Sequence, residues 1–166
     1  MKKLVVYQSS TGFTAKYAGW IAEALSCEAK ELKNISAKEA EEYDSIIYGG
    51  WIMGGMITGL DKIQKMNPKK MVVFAVGAST DSEETRNNII AQNHLEQIPF
   101  FYLEGGIAFE KMSFFPKMML KMMGKSVAKK ENKTEQEKEM EKIFAGSFDN
   151  TDISKIEPLV ALMKEA

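Results

Sequence analysis

Short apolar runs alternate along this chain with stretches whose apolar positions recur every three or four residues. The runs are "LVVY" at 4–7, "SIIYGG" at 45–50, "MVVFAVG" at 71–77 and "PFFYLEGG" at 99–106, with a weaker alternating candidate in "CEAKELKNI" at 27–35. Segments that are apolar throughout, rather than on alternate residues, predict strands buried on both faces, as in a parallel sheet. Between them, Ala18, Ile21, Ala22 and Leu25 repeat at helical spacing, and "SEETRNNIIAQNHLEQ" at 82–97 opens with acids in its first turn. Ile153, Ile156, Leu159, Val160 and Met163 predict a last amphipathic helix, with Thr151 or Asp152 as its cap. Strand and helix thus alternate, which predicts a three-layer, doubly wound α/β domain around a five-stranded parallel sheet. No linker composition or internal repeat divides residues 1–166, so one domain is expected.

Composition narrows the chemistry. The 166 residues carry a formal net charge of −1, which gives no reason to expect a nucleic-acid partner. One cysteine, Cys27, and one histidine, His94, exclude an internal disulfide and a Cys/His zinc site, so no metal is expected. The opening "MKKLVVYQ" is too short an apolar run for a signal segment or a membrane span, and a cytoplasmic protein is expected. No nucleophile stands beside a base and no carboxylate pair asks for acid–base chemistry, so no catalytic side chain is assigned. His94 reads as a surface or satisfied core residue and Cys27 as a small buried one.

In a doubly wound sheet, ligands sit beyond the carboxyl ends of the strands. Three loops fall there. "SSTGFT", with Ser9, Ser10, Thr11, Gly12, Phe13 and Thr14, follows the first run and precedes a helix. Main-chain N–H groups and hydroxyls at such a turn can hold a phosphate without a lysine; equally, Ser10 or Thr11 can simply cap the helix while Gly12 permits the turn. The loop at 48–59, "YGGWIMGGMITG", lets backbone approach a flat aromatic ligand while Trp51, Ile52 and Met53 cover it, although Gly-Gly pairs also make plain turns. The third loop is "VGASTDSEE" at 76–84. Other phosphate signals fail: no Gly-x-Gly-x-x-Gly follows a strand, and "GKS" at 124–126 has Met119 where a Walker loop needs glycine. A receiver-type domain should show acids at the end of the first strand, where Tyr7 and Gln8 stand.

Through "YQSSTGFTAK", "YGGWIMGG" and "VGAS" the chain resembles the flavodoxin-like FMN-binding family. Residues 98–125 with 148–160 are similar to the branch that includes menaquinone-dependent protoporphyrinogen dehydrogenase. The resemblance implies strand order 2-1-3-4-5 and FMN as cofactor. It implies a phosphate held by residues 9–14, a flavin ring flanked by Gly50, Trp51, Ile52, Met53 and Gly54, and its other edge at Gly77, Ala78 and Ser79. It also implies an electron-transfer protein, or alternatively a flavin-dependent dehydrogenase of the protoporphyrinogen or quinone-linked kind, with a redox protein or a quinone as partner. A binding module that has lost flavin is a third reading.

One segment stands apart. Residues 111–133 contain seven lysines and one acid, Glu131, a net +6 inside a chain of net −1. Lys117, Lys121 and Lys125 share one helical stripe, and Phe115, Met118, Met119, Met122 and Met123 another. Such an excursion, expected at 110–133, either fills the domain's own core with methionine or presents a docking surface, including peripheral contact with the inner face of a membrane.

Overall fold

The computed structural model describes residues 1–165. Five strands lie parallel: β1 (Lys3–Tyr7), β2 (Glu28–Glu31), β3 (Ser45–Met53), β5 (Met71–Gly77) and β6 (Phe100–Glu104), in the order β2-β1-β3-β5-β6. Counted among the parallel strands alone, this is the expected order 2-1-3-4-5. An addition is β4 (Met56–Ile57), which runs antiparallel to the end of β3. The weak candidate at 27–35 is the edge strand β2, paired to β1 from Leu4↔Glu28 to Tyr7↔Glu31. An edge strand has only one neighbour to satisfy, which suits its polar alternation.

Alternation along each central strand divides the core in two. Leu4, Val6, Ile46, Tyr48, Val73 and Ala75 face one layer with Leu60 and Ile63 of α3 (Leu60–Lys65) and Ile89 of α4 (Glu83–Asn93). Val5, Ile47, Val72, Phe74 and Val76 face the other, with Tyr17, Ala18 and Ile21 of α1 (Phe13–Leu25) and Leu159, Val160 and Met163 of α7 (Glu157–Glu165). Side chains on successive strand residues point to opposite faces, so strands that are apolar at every position supply both layers at once. A single helical turn, α2 (Ala37–Ala40), leads into β3. Asp152 accepts a hydrogen bond from Ser154 N–H at 2.9 Å and starts the turn that enters α7, as one of the two expected caps.

The excursion is longer than the expected 110–133. It leaves the sheet after β6, and β7 (Gly106–Ile107) and β8 (Phe148–Asp149) pair antiparallel as a separate two-stranded ribbon that closes its base. Within it lie α5 (Phe114–Ala128) and α6 (Glu135–Phe144). The second helix opens with a capping box: Thr134 accepts from Glu137 N–H, and the Glu137 carboxylate accepts from Thr134 N–H. "GKS" at 124–126 falls inside α5 rather than in a loop.

Candidate cofactor site at the carboxyl edge of the sheet

The turn from β1 into α1 places residues 8–12 at the carboxyl edge. Gly12 is the N-cap, with φ 106°, and no side chain caps the helix. Neither Ser10 nor Thr11 therefore performs the capping role that their position allowed. Ser9 Oγ instead accepts from Gly12 N–H at 3.2 Å and closes the loop on itself. The first turn of α1 also has no acid, whereas α4 and α6 carry Ser82 and Thr134 as side-chain caps and acids in their first turns. The first N–H groups of a helix have no intrahelical partner, so those of α1 remain as donors for an anion, at the positive end of the helix dipole. Thr14, 1% exposed, lies in this turn, and Thr11 is half-buried beside it.

The glycine-rich loop at 48–59 is not a loose loop. β3 continues to Met53, and Gly54 and Gly55, both with positive φ at 58° and 82°, form a two-residue turn back into β4. Two positive φ values in succession make a type I′ turn, whose twist matches paired strands. Gly50 lies buried in β3, where a side chain would run into the Thr58 carbonyl and Ile57. Of the residues expected at the ring, Gly50 thus sits behind the hairpin, Trp51 and Ile52 are half-buried, and Met53 is 60% exposed at its tip.

Two side chains without any sequence signal hold this hairpin. Tyr48 O–H donates to the Thr58 carbonyl at 2.6 Å. Asn93, buried at the end of α4, accepts from Ile57 N–H at 2.8 Å and donates to the carbonyls of Gly55 and Ile89 at 2.9 and 2.8 Å. The remaining loop is braced as closely. Tyr102 O–H donates to the Ser79 carbonyl at 2.8 Å, Glu104 accepts from Asp81 N–H and Glu139 of α6 from Thr80 N–H, each at 2.7 Å. Gly77, Ala78 and Ser79 are all half-buried there. The three loops meet. Gln8 N–H donates to the Gly49 carbonyl at 2.9 Å, and Gly105, whose N–H donates to the Gly77 carbonyl, packs against Phe13.

Lys16 anchors α1 to the base of the excursion through Asp149 at 3.1 Å and Thr151 at 2.6 Å. The Thr151 hydroxyl, and after it Lys16, hold the Asp149 carboxyl below its ordinary range. Tyr17 O–H donates to the Glu104 carbonyl at 2.7 Å and accepts from Asp152 N–H at 3.1 Å. The hollows of about 410 and 420 Å³ lie beside β6, around Asp81, Tyr102 and Lys155, and none of residues 8–14 or 49–59 lines them. His94 is exposed at the end of α4, and Cys27 is half-buried with its thiol pushed up by burial. No group of acids, histidine and cysteine that could hold a metal occurs among the described residues.

Burial pushes the phenols of Tyr48, Tyr102 and Tyr17 above the ordinary value of 10.0. Asp61 adds to the rise at Tyr48, Glu104 at Tyr102, and at Tyr17 the Asp152 N–H opposes it. A raised folded pKa stabilises the fold fully below the unfolded value and loses that contribution as pH climbs towards the folded one. Stability should therefore fall from about pH 10 upward. Near-ultraviolet tyrosinate absorbance should show at least three of the five tyrosines ionising only as the chain unfolds; one ionisation step with the fold intact would contradict this.

The arrangement defines a class: a doubly wound α/β protein with a glycine-capped turn after its first strand and two braced loops beside it. The profile of the flavodoxin domain family matches residues 4–150, and the chain belongs to that family. Among solved structures it is similar to a flavodoxin from the domain Archaea, at 17% identity over 62% of this chain and 78% of that one, TM-score 0.42. It is also similar to flavodoxin 1 from Bacillus cereus, at 21% identity over 63% and 84%, TM-score 0.46. A third is a flavoprotein in complex with FMN from Lactobacillus acidophilus, at 16% identity over 62% and 91%, TM-score 0.41. No curated protein matches the chain.

Proposed function

We propose that this protein binds FMN at the carboxyl edge of its sheet and transfers electrons through it. The observation that carries the reading is the start of α1, with a glycine cap, no side-chain cap and no first-turn acid, directly after β1. Ser9, Ser10, Thr11, Gly12, Phe13 and Thr14 would hold the phosphate by main-chain N–H groups and hydroxyls. Trp51, Ile52, Met53 and Gly54 would cover one side of the ring, and the main chain of Gly77, Ala78 and Ser79 would border the other. FMN supplies the electron-accepting ring when bound; the protein supplies position and local charge. Titration with FMN and with riboflavin, which lacks the phosphate, tests this. FMN should bind roughly a thousandfold more tightly or better, because two threonine hydroxyls and at least one main-chain N–H would each contribute about 1.5–3 kcal/mol to a charged group. Equal affinity, or none for either, would remove the reading.

The finer reading, a flavin-dependent dehydrogenase of the protoporphyrinogen or quinone-linked kind, is supported by the likeness of residues 98–125 and 148–160 to that branch. Those stretches enclose the excursion and its return to the sheet. Anaerobic mixing of the FMN-loaded protein with protoporphyrinogen and a soluble quinone separates the two: turnover indicates the dehydrogenase, and exchange with protein carriers alone indicates an electron carrier.

A further inference from the structure

Six of the eleven large apolar side chains exposed among the described residues belong to one helix, so the methionines of α5 do not fill the core. Phe114, Phe115, Met118, Met119, Met122 and Met123 are 38–79% exposed. The other side of α5 is turned to α6. Leu120, Gly124 and Val127 are half-buried, and Gly124 lies so close to Phe144 that an added methyl group would meet its Cβ at 2.8 Å. At 3.6 residues per turn, the six open side chains occupy one half of the helix, and Lys121 and Lys125 run along one border. Lys111 precedes the helix, and Lys129 and Lys130 follow it. Among the described residues, Lys130 and Lys133 pair with Glu137 and Glu141. Lys121, Lys125 and Lys129 are exposed and none of the ion pairs includes them.

We propose that α5 is an interfacial helix that docks this protein on an anionic lipid bilayer. A contiguous exposed apolar face of this kind marks a docking surface. Its fifteen residues span about 22 Å, enough to lie in the plane of a bilayer interface, with phenylalanine and methionine among the acyl chains and lysine stems reaching up to headgroups. Charge selects the occupant. A second copy of the helix would set lysine against lysine, whereas anionic headgroups complement the border and both ends. A fluid acyl layer also accepts six long or bulky side chains without a matching groove. Among the described residues no helix is long and apolar enough to cross a membrane, so the contact is with the surface. α6 carries Glu139 to Thr80 N–H at 2.7 Å and Gln136 to Glu84 at 3.2 Å. The α5–α6 pair thus rests on the loop after β5 and the first turn of α4, and docking through α5 sets that edge of the protein towards the membrane. The inference stands independently of FMN.

Co-sedimentation with phosphatidylcholine vesicles, with and without phosphatidylserine, tests it on the full chain. Binding should require phosphatidylserine and weaken with salt. Changing Lys121, Lys125 and Lys129 together to glutamine should lower vesicle affinity roughly tenfold or more. So should Phe115→Ser with Met122→Ser, and circular dichroism should be unchanged in both variants, whose altered side chains are all exposed. The proposal fails if the parent ignores phosphatidylserine vesicles at low salt, or if both variants bind like the parent. It fails equally if the parent is a dimer that the serine variant dissolves while neither binds vesicles, which would assign the face to a second copy.

Discussion

A chain carrying Thr11→Ala and Thr14→Ala together is expected to lose about a hundredfold in FMN affinity. Each hydroxyl lost from a dianion's shell costs about 1.5–3 kcal/mol, and each 1.4 kcal/mol is about tenfold. Adjacent groups on one ligand couple, so the pair falls short of full additivity, and the expected effect lies near the low end of the sum. Neither threonine caps α1, so the loss should appear in binding more than in folding. Loss of the buried Thr14 methyl group, in a residue 1% exposed, adds a folding cost of about 1 kcal/mol, visible in the melting temperature of the cofactor-free chain. Fluorescence titration measures the effect, with riboflavin as control: its affinity should move much less. FMN affinity within about threefold of the parent would leave the main-chain N–H groups as the sole anion donors.

Asn93→Ala should be the most damaging single change around the hairpin. Its amide serves three main-chain groups from α4: Ile57 N–H and the carbonyls of Gly55 and Ile89. Alanine strands Ile57 N–H and the Gly55 carbonyl, which lie outside any helix, while the Ile89 carbonyl keeps the option of helical bonding. A stranded buried group costs about 1–3 kcal/mol, and the Gly55 carbonyl, only half-buried, costs less than the Ile57 N–H, so about 2–4 kcal/mol is expected in all, or roughly 5–15 °C in melting temperature for a domain of this size. Amide exchange at Ile57 should quicken. Met53 and Trp51 ride on the same hairpin, so FMN affinity should fall as well. A melting temperature within about 2 °C of the parent would show that the hairpin stands by its own turn and the Tyr48 bond.

Several features were legible from the chain alone because they are local. Apolar runs at 4–7, 45–50 and 71–77 predict doubly buried strands wherever they end up, and the helical repeat from Ala18 to Leu25 predicts a one-sided helix. Serine, threonine and glycine after the first strand predict a turn with many donors. The second helix of the excursion is legible too, through Thr134 and Glu137 at capping-box spacing, whereas the lysine-rich composition marks 110–133 alone. The glycine loop was half legible: Gly54-Gly55 is a hairpin-turn signal, although "YGGWIMGG" reads as loop because two glycines precede Trp51.

Tertiary structure decided the rest, because periodicity shows that a helix has two faces and never what covers each. The stripes of α5 are plain in the sequence, yet only the seating of Gly124 against Phe144 turns the methionines outward. Capping shows the same limit. Ser10 and Thr11 have the chemistry of a cap, and the geometry of the turn gave that position to Gly12. Glu139 and Asn93 reach main-chain groups 59 and 36 residues away, and no local pattern encodes contacts of that span. Their place follows from how α6 and α4 pack against the loops, since an N–H or carbonyl left without a main-chain partner takes whichever polar side chain the packing brings within reach.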